Sequence, residues 1–291
     1  MSNTQTNDLG DLKGPLLLFG GPYGNLAAIQ ALRQRADNAG FKPEQIICNG
    51  DLVAYCGEPS QTVELVRDWG IHVLQGNCEE SLASLSLDCG CGFDPDSHCA
   101  ALSQRWYQLC SEQTTDEQRQ WMGSLPGQIR FTLGGVSFCL VHGSPASINE
   151  FVFPSTDANH KQSLVETTDA DVVIGGHSGI PFGETLESGY WLNTGVIGMP
   201  ANDSTPDGWY LTLEPQIEGV SCRWYRLEYD SFAIQRKTEE AGLEAYAKTL
   251  ETGLWPSLDI LPDLERRQTG EPLAPAELII ERPNATRQTG T

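Results

Sequence analysis

The sequence predicts an α/β domain built around a largely parallel sheet, on three observations. From residue 15 to residue 74, apolar runs of strand length alternate with stretches of helical spacing, a β-α-β-α-β order. That order is the one in which parallel strands are joined by right-handed crossovers. Glycine stands at or beside the ends of the strand runs, where the chain has to turn sharply. At 291 residues, the chain is long enough for one large domain or two small ones.

The elements follow in order. Residues 15–20, PLLLFG, read as a buried strand, followed by a glycine-rich turn and a helix over about 25–38. Ile46, Ile47 and Cys48 form a second strand that ends at Gly50-Asp51. A helix over 59–68 has Pro59 or Ser60 near its start, and 71–74 make a third strand. Residues 88–99, DCGCGFDPDSHC, are turn-rich and non-periodic, an insert between strand and helix. Helices are predicted near 100–111 and 115–124, and a hairpin from 129–133 and 136–142 around Gly134-Gly135. Residues 157–167 read as helix and 171–174 as another buried strand. Strands follow at 189–193, 208–213 and 219–228. The domain is thus expected over 14–235, a helical extension over 236–262, and a loosely ordered tail rich in Pro, Arg, Glu and Thr over 263–291.

Charge narrows the range of partners. Thirty-nine Asp and Glu against 18 Lys and Arg give a net charge of −21. Such a surface repels nucleic-acid backbone and anionic membrane at long range. No run of about 18 apolar residues is present, so no membrane span is predicted. The N-terminal MSNTQTNDLGDLKG lacks the apolar core of a signal peptide, and a cytoplasmic protein is expected. Nine cysteines in such a chain point to metal or redox chemistry more than to a disulfide framework. Nothing in the sequence fixes the oligomeric state.

Four segments share one design, a metal-capable side chain just past a buried strand with glycine next to it. They are Asn49-Gly50-Asp51, Gly76-Asn77-Cys78-Glu79, Val141-His142-Gly143 and Gly175-Gly176-His177. Sites in open α/β sheets form at the carboxyl ends of strands, so segments far apart in sequence converge there. Asp51, Asn77, His142 and His177 together offer one anionic oxygen, one neutral oxygen and two imidazoles. That mixed set suits Zn, Mn or Fe better than Ca or Mg.

In that order the segments resemble the motifs of the calcineurin-like metallophosphoesterase superfamily. The likeness spans about 15–230 and includes LNTGVIGMP at 192–200. The resemblance implies an αββα sandwich with two metals at the sheet edge, whose bridging hydroxide attacks phosphorus. It also implies a small phosphorylated substrate. Asp51, Asn77, His142 and His177 match one complete ion site. Gly21, Tyr23 and Gly179 stand where the family has the Asp, His and His of the other, so one or two divalent ions are expected at an altered centre. Cys78 stands where the family's general acid, a His, would be. Cys78 and Asp51 are therefore the candidate catalytic groups. The fully lost alternative is a phosphoesterase fold that binds a phosphorylated ligand or partner without turnover.

Further residues qualify. Cys89, Cys91 and Cys99, with His98 beside them and Cys56 after Asp51, could supply extra metal ligands or form a redox sensor. Tyr23 and Asn25 could contact substrate, with Asn25 also placed to cap its helix. Glu79, and Asn193 in the last motif, are expected to support the site from behind its ligands.

Overall fold

The computed structural model describes residues 5–283. One six-stranded sheet contains β2 (Leu16–Phe19), β3 (Ile46–Cys48), β4 (His72–Val73), β10 (Gly208–Gln216), β11 (Gly219–Leu227) and β12 (Leu278–Glu281), in the order β12-β11-β10-β2-β3-β4. The other contains β1 (Thr6–Leu12), β5 (Gln128–Leu133), β6 (Val136–Leu140), β7 (Val172–Gly175), β8 (Phe182–Leu186) and β9 (Gly189–Asn193), in the order β1-β5-β6-β7-β9-β8. β2, β3 and β4 are mutually parallel, as are β6, β7 and β9, while β5 and β6 form the antiparallel hairpin.

The sheets pack face to face, with helices outside both. Leu16, Leu18 and Ile47 of the first sheet meet Phe131, Phe138, Leu140 and Ile174 of the second. The alternate residues Leu17, Phe19 and Ile46 face outward under α1 (Leu26–Ala39), α2 (Pro59–Trp69) and α4 (His98–Gln113). On the other side Cys139, Val173 and Trp191 lie under α6 (Ala158–Glu166). Strands covered on both faces must be apolar throughout rather than alternating, which is why PLLLFG reads as one run. The arrangement is an αββα sandwich. No helix among the described residues is long and apolar enough to cross a membrane.

After residue 230 the chain forms α7 (Ser231–Glu240) and α8 (Glu244–Thr252). Ile234, Leu243, Tyr246 and Leu250 join the same apolar cluster as α1, so this extension is part of the domain's core.

Three elements correct the sequence reading. The polar N-terminal stretch forms β1, an edge strand parallel to β5. Its one apolar pair, Leu9 and Leu12, packs against the core while Asn7, Asp8 and Asp11 face solvent. β8 is likewise an edge strand, pairing with β9 alone. The expected loose tail is ordered through residue 283: α9 (Asp263–Arg267) is followed by β12, which pairs antiparallel with β11 and buries Ile280. Residues 284–291 of that tail lie outside the described residues.

Candidate metal centre

The two sheets present their strand ends to one point. Asp51 follows β3, Asn77 begins α3 (Asn77–Ala83) just after β4, His142 follows β6 and His177 follows β7. The turn at Gly50 needs glycine: its φ is +80°, and a Cβ there would lie 2.6 Å from the Gly76 nitrogen. That close approach locks the β3 and β4 turns together. Glu79 locks them again, accepting from the Asp51 and Gly76 nitrogens at 2.7 and 2.9 Å through one oxygen and from Leu52 at 2.8 Å through the other.

His142 Nε2 lies 3.1 Å from each of Asp51 Oδ2, Asn77 Oδ1 and His177 Nδ1. All four side chains are buried. The protonation of this cluster follows from what lies behind it. His142 Nδ1 is 2.7 Å from the Asn49 carbonyl and donates to it, which leaves Nε2 of the neutral ring a bare lone pair. Asn77 Nδ2 donates to the Cys89 carbonyl at 2.9 Å, which turns Oδ1 inward. His177 Nε2 is 3.4 Å from the Cys91 carbonyl, placing the Nδ1 lone pair inward as well.

Four acceptors therefore face one another with no donor among them. Buried acceptors do not persist that way without a proton or a cation between them. Without an ion, a single proton answers the need. Burial opposes charge on His142, but Asp51 outweighs it and raises that pKa. Burial lowers the pKa of His177. For Asp51, burial favours the neutral acid, yet His142 and then His177 hold the carboxyl far below the usual range. Burial, with Asp51 next, pushes Glu79 up to about 7. A divalent ion satisfies the same four atoms together. Ligands about 2.1 Å from an ion and at right angles to one another stand roughly 3 Å apart, the separation seen around His142 Nε2. The residues fit the metal.

Other predicted site residues fall into three groups. Cys78, Cys89 and Cys91 come together beside the centre: Asn77 Nδ2 lies 3.3 Å from Cys91 Sγ and 3.6 Å from Cys78 Sγ, and the Cys91 nitrogen lies 3.4 Å from Cys89 Sγ. Burial pushes the thiols of Cys78 and Cys91 far up, as contact with Cys91 and then burial do for Cys89. Without an ion these thiols are held protonated, and none of them joins the group formed by Asp51, His142 and His177.

A second group lies elsewhere. Cys56 is buried against the Gly198 carbonyl and Met199 sulfur. His98 and Cys99 open α4, and their backbone nitrogens donate to Asp259. Among the described residues, the Asp, Glu, His and Cys side chains that come together to hold an ion are Asp51, His142 and His177, and none of these three joins them, although Cys99 lines a cavity beside His177.

The third group is structural. Asn25 caps α1 through the Ala28 nitrogen and donates to the Gly198 carbonyl, both at 2.9 Å, and is fully buried, so both ends of its amide are engaged with backbone. Asn193 donates to Ser178 Oγ at 3.0 Å and accepts from Gly195 at 2.9 Å, bracing the turn that carries His177.

Sequence reasoning missed Phe151, whose ring lies 4.2 Å from that of His177, and the Asn49 carbonyl that sets the His142 tautomer. No motif marks a lone Phe in a loop. The Asn49 role could have been read from its place two residues before Asp51. A cavity of about 70 Å³ opens beside His177, lined by Tyr23, Tyr55, Phe151, Met199, Tyr246 and Trp255 among others.

Residues 24–216 match the calcineurin-like phosphoesterase superfamily domain. The chain belongs to that superfamily. Uncharacterized protein MJ0912 of Methanocaldococcus jannaschii is 26% identical over 188 residues, 64% of this chain and 71% of that protein. The crystal structure of the hypothetical protein PH1004 from Pyrococcus horikoshii OT3 superposes with a TM-score of 0.68 at 16% identity, covering 83% of this chain and 99% of that one. A metallophosphoesterase from Sphaerobacter thermophilus gives 0.63 at 24% identity, covering 84% and 100%. At those identities the structural matches speak to fold. Tyr23, itself at φ 53°, lays its ring across Gly21 and packs on Tyr55 with ring centroids 4.7 Å apart.

Proposed function

We propose that the protein is a metal-dependent phosphoesterase working with one divalent transition ion, held by Asp51, Asn77, His142 and His177, on a small phosphorylated substrate. The observation that carries this reading is the convergence of four buried acceptors with no donor between them. Membership of a superfamily of metal-dependent phosphoester hydrolases supports it.

A divalent ion in that position supplies a Lewis acid for a phosphoryl oxygen and lowers the pKa of water. The chain's own residues do the rest. Glu79 and Asn49 fix the aim of Asp51 and His142. Phe151 shields His177 from bulk water. Tyr23 lines the cavity, and burial, with Asp51 next, holds its phenol protonated, so it can donate to a phosphoryl oxygen.

The test is turnover of a panel of phosphate esters by protein reconstituted with Mn, Zn or Fe, beside its Asp51→Asn variant. Turnover that follows metal loading and disappears in the variant is the expected result. A metal-loaded protein that turns over none of the esters would overturn the proposal. Two observations favour a second reading, a phosphoesterase fold that binds without turnover: the Tyr23 ring lies across Gly21, where the family has a ligand, and Cys78 stands where the family has its acid.

A further inference from the structure

We propose that Cys78 and Cys91 form a reversible disulfide that acts as a redox switch on the metal centre: the dithiol form holds the ion, and the disulfide form holds it more weakly. This rests on the metal-holding part of the reading above and adds a regulation to it, whatever ester is turned over.

Three thiols meet beside the ligands. Cys78, Cys89 and Cys91 are free and buried. The sulfurs of Cys78 and Cys91 accept from one nitrogen, Asn77 Nδ2, at 3.6 and 3.3 Å, and the two thiols hydrogen-bond each other. Thiols already in contact need only a small backbone movement to be bridged. Cys91 also touches Cys89, whose sulfur accepts from the Cys91 nitrogen at 3.4 Å. A bond across the single residue Gly90 closes a tight ring, and strained disulfides are the more easily reduced. The bond from Cys78 to Cys91 closes a longer loop between α3 and the insert, and is the more stable of the two.

What surrounds the pair supplies the coupling. Cys78 is the neighbour of Asn77, and its backbone nitrogen donates to Asp51 Oδ1 at 3.3 Å. On the insert, the Cys89 carbonyl accepts from Asn77 Nδ2 at 2.9 Å, and the Cys91 carbonyl lies 3.4 Å from His177 Nε2. Three of the four ligands thus lean on the two segments that the bond joins. A covalent S–S bond is much shorter than a thiol contact, so forming it draws the insert toward α3. Ligand sets of this kind tolerate displacements of only about 0.5 Å. Groups that orient a ligand are worth roughly 10–100-fold in metal affinity. By linkage, an ion that prefers the dithiol also protects it from oxidation.

The oxidant is a low-molecular-weight disulfide. Cys78 and Cys91 give up their two thiol hydrogens and form one S–S bond. The small disulfide is cleaved to two thiols, which carry those hydrogens away, so two electrons pass and no other reactant is needed.

The experiment brings the full chain to equilibrium in glutathione buffers from fully reduced to fully oxidised. Burial slows the exchange without moving its end point, so incubation continues until the thiol count is constant. Free thiols are trapped with iodoacetamide and the chain is cut after glutamate. Cuts at Glu79 and Glu80 part Cys78 from Cys89 and Cys91. A cross-link between those fragments is expected in the natural chain and in Cys89→Ser, and is expected to vanish in Cys91→Ser. No cross-link, or one that persists in Cys91→Ser, overturns the inference. Circular dichroism checks the variants; should one misfold, mass-spectrometric sequencing of the cross-linked fragments of the natural chain decides the pairing.

Chelator competition then measures metal affinity of both forms after glutathione is removed. The oxidised chain is expected to bind at least about tenfold more weakly, and a saturating ion should raise the midpoint potential by about 30 mV for each tenfold. Cys91→Ser should keep the affinity of the reduced natural chain in either buffer; loss of the ion from its reduced form would make the thiol a ligand and overturn the switch. Equal affinities of the two natural forms overturn the inference and leave the phosphoesterase standing. A reduced chain that takes up no ion overturns the metal reading and the switch with it.

Discussion

The ring of Tyr23 stands where a side chain on Gly21 would have to go: a Cβ there would lie 2.5 Å from Tyr23 Cε2 and Cζ and 2.7 Å from Val196 Cγ1. Gly21 also sits at φ +43°, a conformation that costs any residue with a Cβ. The two positions are therefore sterically coupled. Gly21→Asp alone is expected to destabilise the domain by about 2–4 kcal/mol through overpacking and backbone strain. Tyr23→Ala should cost about 3–5 kcal/mol through the cavity it leaves. The double variant should lose clearly less than the sum, because removing the ring makes room for the carboxylate. Urea unfolding midpoints of the three proteins check this, and strict additivity would refute the coupling.

The His142–Asn49 contact makes metal content the most direct readout of the centre. Protein purified without added metal, or reconstituted and desalted, should carry about one divalent ion per chain. His142→Ala and His177→Ala should each carry almost none, since each removes a ligand and leaves three acceptors facing one another. Cys56→Ser and Cys99→Ser should keep the natural content, because neither thiol belongs to the group formed by Asp51, His142 and His177. Elemental analysis of the five proteins settles the matter. Loss of metal in Cys99→Ser would mean that the insert reaches the ion after all.

Glu79 gives a prediction of another kind, since it touches backbone rather than the ion. Its oxygens hold the nitrogens of Asp51, Leu52 and Gly76. Glu79→Gln turns one acceptor into a donor facing N–H groups. It should destabilise the protein by about 1–3 kcal/mol. Metal affinity should fall roughly 10–100-fold, the range for groups that orient a ligand. Glu79→Gln and Asp51→Asn thus differ in signature: the first weakens both folding and metal binding, the second chiefly metal binding. Competition with a chromogenic chelator, together with urea unfolding, distinguishes the two.

Much of the fold and the centre could be read from the residues because both are written in strand ends. Asp51, His142 and His177 each follow an apolar run and stand next to glycine, and a doubly covered sheet forces such runs to be apolar throughout. Elements without that signature escaped. β1 is a solvent-facing edge of Asn, Asp and Gly, and β8 is an edge strand whose Glu184 pairs with the buried Lys161. The cysteines were legible only as a group. Spacing could not show that Cys91 reaches Asn77 while Cys99, eight residues later, falls in the first turn of α4. Phe151 acts through three-dimensional contact, which no local pattern encodes.

The C-terminal strand gives the sharpest test of the corrected tail. In β12, Ile279 and Ile280 are neighbours on opposite faces, one 54% exposed and the other fully buried against the inter-sheet core beside Val220. A loose tail would make the two equivalent; a paired edge strand makes them opposites. Ile280→Ala should cost about 2–4 kcal/mol by the lost burial and the space left behind, whereas Ile279→Ala should stay within about 0.5 kcal/mol. Deleting residues from 277 onward should do more than either. It bares Gly219–Cys222, the part of β11 that β12 covers, which lengthens the open edge of that strand and invites pairing between chains. Thermal unfolding of the point variants and light scattering of the truncation report on the two effects separately. Equal stabilities for Ile279→Ala and Ile280→Ala would show that the strand does not form in solution.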